Sequence, residues 1–271
     1  MAATTEAILA EVAAAIEHLG KTSIVALAGV PGTGKSHMAM MAARHFAGHP
    51  LLVETIQFHQ GYGYEEFVEG LRPTPVGGFE ISEGVLMRWN DRATADKQNR
   101  YVLVIEELTR ANLSAVLGEL LSLIEYRGRS ITLPISKRPL VIAENLRFVA
   151  TYNPHDRNAI DVDDALLRRL AIIECGPSSA QLREMLGSTL GNTTEGQATI
   201  EKLAKLFDEI EAITGDRFPS VMPFGHGIFS TVRNEDDLKR IWRQRLRHFI
   251  ARPNQPRHEL ADEISSRYPW K

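Results

Sequence analysis

Residues 23–40, SIVALAGVPGTGKSHMAM, restrict the possible fold of this chain more than any other segment. The segment opens with an apolar run, residues 24–27, that is typical of a buried parallel strand, and it then passes through a glycine-rich turn into a helix-forming stretch. Glycines at such a junction let successive backbone N–H groups face one anion, and the new helix presents its positive N-terminus to the same point. The segment therefore predicts a phosphate-binding loop between a strand and a helix.

Every fixed position of the phosphate-loop motif is filled in the expected place, and for this reason we set aside a glycine turn without a ligand. Lys35 is expected to reach the β- and γ-phosphates of a nucleoside triphosphate, and Ser36 is expected to ligate Mg²⁺. The predicted nucleotide-binding residues are Gly29, Pro31, Gly32, Thr33, Gly34, Lys35 and Ser36.

The composition excludes several classes of protein. Of the 271 residues, 44% are hydrophobic and 24% are charged, and a net charge of −3 gives no overall attraction to nucleic acid or to an anionic membrane. A single cysteine, Cys175, excludes an internal disulfide and a cysteine-rich zinc site. Glutamates interrupt the apolar residues 1–21, which therefore form neither a signal peptide nor a membrane span. We expect a cytoplasmic protein without a membrane partner.

Residues 101–112, YVLVIEELTRAN, carry the second strong signal. An apolar run predicts a buried strand, and Glu106 and Glu107 stand at its carboxyl end, where open α/β sheets bind their ligands. In a phosphate-loop protein, Glu106 would hold Mg²⁺, and Glu107 would orient or deprotonate the attacking water. An ordinary charged strand end is the simpler alternative, which the phosphate loop upstream makes less favourable.

Two further sets of polar residues are candidates for the same site. Residues 147–153 predict a buried strand whose last residue, Asn153, would hydrogen-bond the γ-phosphate or the water, or would instead cap the following turn. Residues 161–170 predict a helix that ends in Arg168 and Arg169. Paired arginines there are usually surface charge that suits the helix dipole, but in an oligomeric ATPase they can act on the neighbouring subunit's nucleotide.

Apolar periodicity and turn residues predict the remaining elements. We interpret the basic hairpin tip at residues 137–139 as a solvated loop, and the basic helix over residues 236–250 as a solvated face or subunit contact rather than a nucleic-acid site. The other predicted elements are helices over 5–19, 37–46, 113–126 and 178–214 (with a break at 191–194), strands over 50–55 and near Val221, a loop with an opening helix over 57–73, an amphipathic segment within 79–96 and a hairpin over 130–146.

The order of strands and helices predicts an α/β fold, in which a parallel-sheet sandwich carries a small, mainly α-helical C-terminal lid. The composition changes at Gly176 and Pro177. We therefore predict a nucleotide-binding α/β domain over residues 1–176 and a helical lid domain over residues 177–271. The polar residues from Pro253 onward are expected to be mobile.

With these residues in hand, the chain resembles the AAA+ ATPases, and among them the McrB-like NTPase subunits of modification-dependent restriction systems. The resemblance runs from about residue 24 to residue 250. Several sequence blocks in the same order are more specific than the phosphate loop alone. These blocks are QFHQGYGYEEFVEGLRP, GVLMRW, VIEELTRANLSAVLGELLSLIE, GHGIFS and DLKRIW.

The resemblance implies a Mg²⁺-dependent NTPase that forms a hexameric ring with nucleotide between subunits. By motif match, Lys35 and Ser36 bind the triphosphate and Mg²⁺, Glu107 is the catalytic carboxylate, and Asn153 is the polar sensor. One of the two arginines acts as a finger on the neighbouring subunit. The resemblance also implies that the ring drives an effector protein, such as a nuclease in prokaryotic defence against foreign DNA.

The chain departs from that family in three ways. Glu106 stands where the family usually has aspartate, and the extra methylene shifts the Mg²⁺ ligand by roughly one C–C bond, which implies slow turnover. The segment ATYNPHD is closer to the broader dynein- and MoxR-related pattern, so that we expect ATP rather than GTP. The family's separate N-terminal DNA-reading domain has no counterpart before residue 24, so that any DNA recognition is expected to come from a partner.

Two other functions are compatible with the same motifs. The first is a MoxR-like remodelling chaperone that acts on a protein substrate. The second is a nucleotide-gated scaffold that binds nucleotide but scarcely turns it over, because Glu106 replaces the usual aspartate.

Overall fold

The computed structural model divides the chain into two compact units. The α/β unit contains residues 8–28 and 35–174, and the helical unit contains residues 1–7, 29–34 and 175–271. The division into domains over residues 1–176 and 177–271 stays a prediction. The structure describes residues 4–154, 164–217, 224–250 and 258–271.

Five parallel strands of the described residues form the main sheet, in the order β2-β5-β8-β1-β9. The three inner strands are mainly apolar, and all their residues except Glu106 are buried, as expected when helices cover both faces of a parallel sheet. The predicted α/β fold is therefore confirmed. The strands are β1 (Ile24–Ala28), β2 (Val53–Gln57), β3 (Glu69–Pro73), β4 (Phe79–Glu83), β5 (Tyr101–Glu106), β6 (Ile131–Thr132), β7 (Pro139–Leu140), β8 (Leu146–Tyr152) and β9 (Leu170–Glu174).

The longer helices of the described residues bury apolar side chains. Helix α2 packs against the four strands β1, β2, β5 and β8, and its small buried residues Ala39, Ala42 and Ala43 let the helix lie close to the sheet. A π-helical turn, Trp242–Leu246, separates α10 from α11. The helices are α1 (Thr5–His18), α2 (Lys35–Ala47), α3 (Tyr64–Phe67), α4 (Val85–Ala95), α5 (Leu113–Leu117), α6 (Leu120–Glu125), α7 (Asp164–Leu167), α8 (Ser179–Leu190), α9 (Thr194–Arg217), α10 (Glu235–Ile241), α11 (Arg247–Ile250) and α12 (His258–Arg267).

The single helix predicted over residues 113–126 is wrong, because Gly118 divides it into α5 and α6. Gly118 has φ 38° and ψ −120°, a conformation that cannot continue an α-helix, and its N–H donates to the Ser114 carbonyl at 3.1 Å. Both short helices bury leucine, valine or isoleucine side chains in the same core. The apolar period therefore continues across the break and conceals it.

The hairpin of β3 and β4 was not predicted. Its cross-strand neighbours Leu71 and Ile81 are 46% and 49% exposed, and Phe79 is 73% exposed, so that the alternation of buried and exposed residues is lost. The predicted hairpin over residues 130–146 is present as the short pair β6 and β7. Its basic tip is not merely solvated, because Arg138 forms ion pairs with Glu83 and Asp91.

The helical unit has its own apolar core, to which α8, α9, α10 and α12 contribute. Trp242 stacks on Tyr268 with 4.7 Å between ring centroids, and the Tyr268 hydroxyl donates to the Leu238 carbonyl at 2.9 Å. Tyr268 and Trp270 are buried, so the expectation of a mobile tail is wrong for residues 258–271. The strand predicted near Val221 lies outside the described residues. None of the helices that the structure describes is both long and apolar enough to cross a membrane.

Candidate active site

The carboxyl ends of the parallel strands bring the predicted carboxylates to one edge of the sheet. Ile105 pairs with Ala150 and Ala28 pairs with Tyr152, so that β1, β5 and β8 end next to one another. Glu106 is the last residue of β5, and Asn153 follows β8. This edge of an open α/β sheet is where ligands bind, so Glu106 and Asn153 lie where a ligand would be expected. Their roles stay a prediction.

Glu106 is fixed by its place in the sheet. Glu106 pairs with Gln57 of β2, and the Glu106 carbonyl accepts a hydrogen bond from the Phe58 N–H at 2.9 Å. The side chain is half-buried, whereas the other five residues of β5 are buried. A carboxylate at this position is partly desolvated and is available to a cation at the strand end.

Glu107 has left-handed backbone angles, φ 55° and ψ 45°. This conformation is uncommon for a residue other than glycine and costs about 1 kcal/mol. The Glu107 N–H lies 3.4 Å from the Thr151 hydroxyl oxygen, and its carboxylate pairs with Arg110 at 3.2 Å. Both side chains of this pair are more than one third exposed, so the ion pair contributes at most about 1 kcal/mol. Strain of this kind is concentrated at functional sites.

Thr151 and Arg110 are contacts of Glu107 that sequence reasoning missed. Thr151 is buried in an apolar strand, where a threonine is unremarkable, and Arg110 follows the carboxylates in a 3₁₀ turn, Leu108–Arg110. The three-residue separation of Glu107 and Arg110 was the available signal, since residues at this spacing meet on one helical turn.

The residues that begin α2 belong to the same unit as the carboxylates. Helix α2 begins at Lys35, directly after the glycine loop. Lys35 is half-buried and Ser36 is exposed. Because the first N–H groups of a helix lack intrahelical acceptors, this helix start is suited to an anion.

The glycine loop, residues 29–34, has the backbone geometry that the motif predicts. Gly32 and Gly34 have φ values of 83° and 81°, which side chains rarely permit. Thr33 is buried, and its hydroxyl donates to the Val30 carbonyl at 3.0 Å. The loop is therefore a defined turn.

The segment 225–227, Gly-His-Gly, contacts the glycine loop within the helical unit. The Gly225 N–H donates to the Pro31 carbonyl at 2.9 Å, and the Gly227 N–H donates to the Gly32 carbonyl at 2.7 Å. In the sequence, GHGIFS was one of the blocks that carry the family resemblance, and no role was predicted for it. A contact made by backbone atoms almost 200 residues along the chain leaves no periodic signal.

His226 lies between these two glycines and is 94% buried, since only 6% of its surface is exposed. Its Nδ1 has no hydrogen-bond partner among the described residues. Burial lowers the pKa of His226, and the nearby Glu184 carboxylate opposes this effect in part. The ring is therefore held mainly in its neutral form.

Arg168 and Arg169 lie at the opposite edge of the sheet from the carboxylates. They directly precede β9, and the Arg169 carbonyl accepts from the N–H of Ile24, the first residue of β1. A five-residue strand spans about 13 Å between its first and last residues, so the two arginines are remote from their own strand ends. The structure thus brings Glu106, Glu107 and Asn153 to one edge and places the arginines elsewhere.

The two arginines differ in their surroundings. The Arg169 guanidinium pairs with Glu125 at 2.8 Å, and its side chain is only 13% exposed. It also donates to the Ala165 carbonyl at 2.5 Å. Arg168, by contrast, is exposed.

The chain is similar to a known domain family and to components of two restriction enzymes. A family model for the AAA domain (dynein-related subfamily) matches residues 24–170. The EcoKMcrB subunit of a type IV methyl-directed restriction enzyme from Escherichia coli K12 is 32% identical over 197 residues, which cover 69% of this chain and 43% of that protein. Component YdiS of the type II restriction enzyme BsuMI from Bacillus subtilis 168 is 22% identical over 183 residues, which cover 52% of this chain and 53% of that protein.

The chain thus spans about half the length of the curated relatives it matches. A solved structure of a candidate ATPase from Cytophaga hutchinsonii covers 80% of this chain and 72% of its own, at 16% identity and a TM-score of 0.42. The family match covers more than half of the 271 residues and includes the strand ends that carry the site. It confirms the resemblance stated above: this chain belongs to the AAA domain family, in its dynein-related subfamily.

Proposed function

We propose that this chain is a Mg²⁺-dependent NTPase that hydrolyses ATP in preference to GTP, assembles into a hexameric ring and drives a nuclease-like effector in cytoplasmic defence against foreign DNA. The observation that supports it most is the placement of Glu106, Glu107 and Asn153 at the carboxyl edge of the sheet, in a chain that also carries a complete phosphate-loop motif.

In this proposal each residue has one task. Lys35 binds the β- and γ-phosphates, while Ser36 and Glu106 supply the hydroxyl and carboxylate oxygens that Mg²⁺ prefers. Held by these two residues, Mg²⁺ would supply neutralisation of negative charge on the phosphates. Glu107 orients the attacking water and accepts its proton, and Asn153 donates a hydrogen bond to the γ-phosphate or holds the water.

The proposal of an effector follows from the names of the relatives. One relative is named as a subunit of a restriction enzyme and the other as a component of a second restriction enzyme. We infer that this chain likewise works with a partner, and that DNA is contacted through the partner. A remodelling chaperone would instead be stimulated by a protein client.

The first test compares the wild-type protein with the Lys35→Ala variant. Loss of the lysine removes a charge-assisted contact with the phosphates and should weaken triphosphate binding about 10- to 100-fold. Binding and hydrolysis of ATP and GTP should be measured together with the mass of the protein in solution, with and without nucleotide. The proposal fails if the wild-type protein neither binds nor hydrolyses nucleotide with any partner, or if the variant equals it.

The Glu106→Asp variant tests whether the longer side chain limits turnover. Restoring the usual aspartate should raise the rate of hydrolysis by about tenfold, since a displacement of about an ångström at a reacting centre has effects of this order or larger. Steady-state phosphate release measures it. A brisk wild-type rate that the variant does not raise would exclude the scaffold function and would show that Glu106 is adequate.

A further inference from the structure

The glycine loop is supported by backbone atoms of the segment 225–227. Two N–H groups of that segment, from Gly225 and Gly227, donate to successive loop carbonyls, those of Pro31 and Gly32, at 2.9 and 2.7 Å. Both residues and the loop belong to the helical unit. Two consecutive peptide groups of the loop are thus oriented by a segment distant in the chain.

This support determines where the loop N–H groups point. The peptide bonds of the described residues are trans, so the N–H of each peptide group is directed opposite to its C=O. Because the Pro31 and Gly32 carbonyls face the segment, the N–H groups of Gly32 and Thr33 face away from it. These N–H groups are those that a phosphate-binding loop offers to its anion.

Gly225 and Gly227 leave no room for a side chain, because the backbone of the glycine loop lies too close. A Cβ at Gly225 would lie 2.2 Å from the Gly32 carbonyl carbon, and a Cβ at Gly227 would lie 2.8 Å from the Gly32 carbonyl oxygen. In both cases the obstructing atom is backbone, which cannot rotate aside. Gly225 has an ordinary φ of −87°, so that close approach, and not backbone conformation, explains the glycine.

The segment is anchored in the core of the helical unit. Phe224 and Phe229, on either side of it, are 3% and 2% exposed, and their ring centroids lie 6.1 Å apart. Phe224 also contacts Phe207 of α9, with 6.0 Å between centroids. The three residues of the segment 225–227 therefore connect the glycine loop to this aromatic core.

We propose that Gly225 and Gly227 are positioning residues for nucleotide binding, which hold the phosphate-loop N–H groups in their binding orientation from the aromatic core of the helical unit. The inference rests on the proposed function. By reciprocity, a nucleotide that binds the loop should also stabilise the segment and the core that carries it.

The test uses Gly225→Ala and Gly227→Ala, with Gly187→Ala as the matched control. Gly187 lies in α8 of the same unit, and a Cβ there meets nothing within 4 Å. For Gly227→Ala we expect the Kd for ATP and the KM to rise about tenfold, which corresponds to the loss of one or two hydrogen bonds. Both constants should rise further for Gly225→Ala, because its Cβ would lie closer to the Gly32 backbone. The control should bind as the wild type does.

The pattern of kinetic constants separates positioning from folding. A folding defect lowers the active fraction and so reduces kcat with KM unchanged, whereas a misplaced loop raises KM. The inference is overturned if both variants fold and keep the wild-type Kd, or lose only kcat. Melting temperatures of the nucleotide-free variants monitor folding.

Hydrogen–deuterium exchange on the wild-type protein gives a second test that needs no variant. The amides of Gly225 and Gly227 should exchange slowly without nucleotide, and more slowly when ATP and Mg²⁺ are added. Exchange of these amides at the rate of an unfolded chain would contradict their hydrogen bonds to the glycine loop. Slow exchange in a wild-type protein that binds no nucleotide would contradict the proposed function and, with it, the role in nucleotide binding. Open-chain exchange in a protein that does bind nucleotide would overturn the inference alone.

Discussion

Replacing Arg168 by alanine is expected to lower nucleotide hydrolysis about 10³-fold or more, the range measured for arginines supplied in trans to phosphoryl transfer. The arginine pair lies about one strand length from the carboxyl edge of its own sheet, so it cannot readily reach its own nucleotide. Of the pair, Arg168 is exposed, whereas Arg169 is engaged with Glu125. We therefore predict that Arg168, rather than Arg169, is the finger.

Arg169→Ala is the matched control, because it removes the same charge from the adjacent position. It breaks a largely buried ion pair and should lower the free energy of unfolding by about 2 kcal/mol while leaving much of the hydrolysis intact. Phosphate release and melting temperature should be measured for both variants. The opposite pattern, with Arg169 carrying the rate, would reverse the assignment.

Mixing two impaired variants, at a nucleotide concentration at which the Lys35→Ala loop stays empty, tests whether the finger acts on a neighbour. Lys35→Ala subunits keep Arg168 but have a weakened phosphate loop, whereas Arg168→Ala subunits keep the loop intact. A ring with both kinds of subunit contains some interfaces with an intact loop and an intact finger, and mixing should restore part of the rate. If mixed samples that share rings show no recovery, the arginine does not act in trans.

The second large effect is expected for Glu107→Gln. Glutamine keeps the size of the side chain but cannot accept the proton of the attacking water, and general-base catalysis contributes about 10²- to 10⁴-fold. Hydrolysis should fall by that factor while the Kd for ATP stays within a few fold of the wild-type value. Single-turnover measurements at saturating ATP separate the chemical step from binding.

The effect of Glu107→Gln on the fold should be small. The variant loses only an exposed ion pair with Arg110 and keeps the backbone contact with Thr151. Glu11→Gln, on an exposed position of α1, controls for the loss of one charge. A Glu107→Gln protein that hydrolyses ATP at the wild-type rate would remove Glu107 from the chemistry.

The sequence predicted the inner sheet well, because its strands are buried on both faces and are mostly apolar. Strand β1 and residues 101–105 of β5 are unbroken apolar runs, and β8 is one apart from Arg147 and Thr151. Glu106 ends β5, and Glu107 follows it.

The edge strand β9 was not predicted, and its first residue, Leu170, was assigned to the end of a helix. Only Ile173 of this strand is buried, so that it lacks such a buried run. Its two-residue separation from α7 also contains no turn-forming glycine or proline.

The candidate site could be proposed from sequence as far as local motifs define it. Lys35, Ser36, Glu106 and Glu107 were proposed from residue type and from position relative to a strand. The support from Gly225 and Gly227 was not, because it is made by backbone hydrogen bonds between segments remote in the chain. Local patterns carry no information about which distant backbone fills the space beside a loop, and only the folded packing reveals it.

The buried tryptophans give the protein built-in optical reporters. Of its three tryptophans, Trp89 lies in the α/β unit, whereas Trp242 and Trp270 both contact Tyr268 in the core of the helical unit. Replacing Trp89 by phenylalanine would confine the indole emission to the helical unit. Nucleotide added to such a protein could then be followed by its fluorescence alone, so that the state of that core is recorded in real time without any attached label.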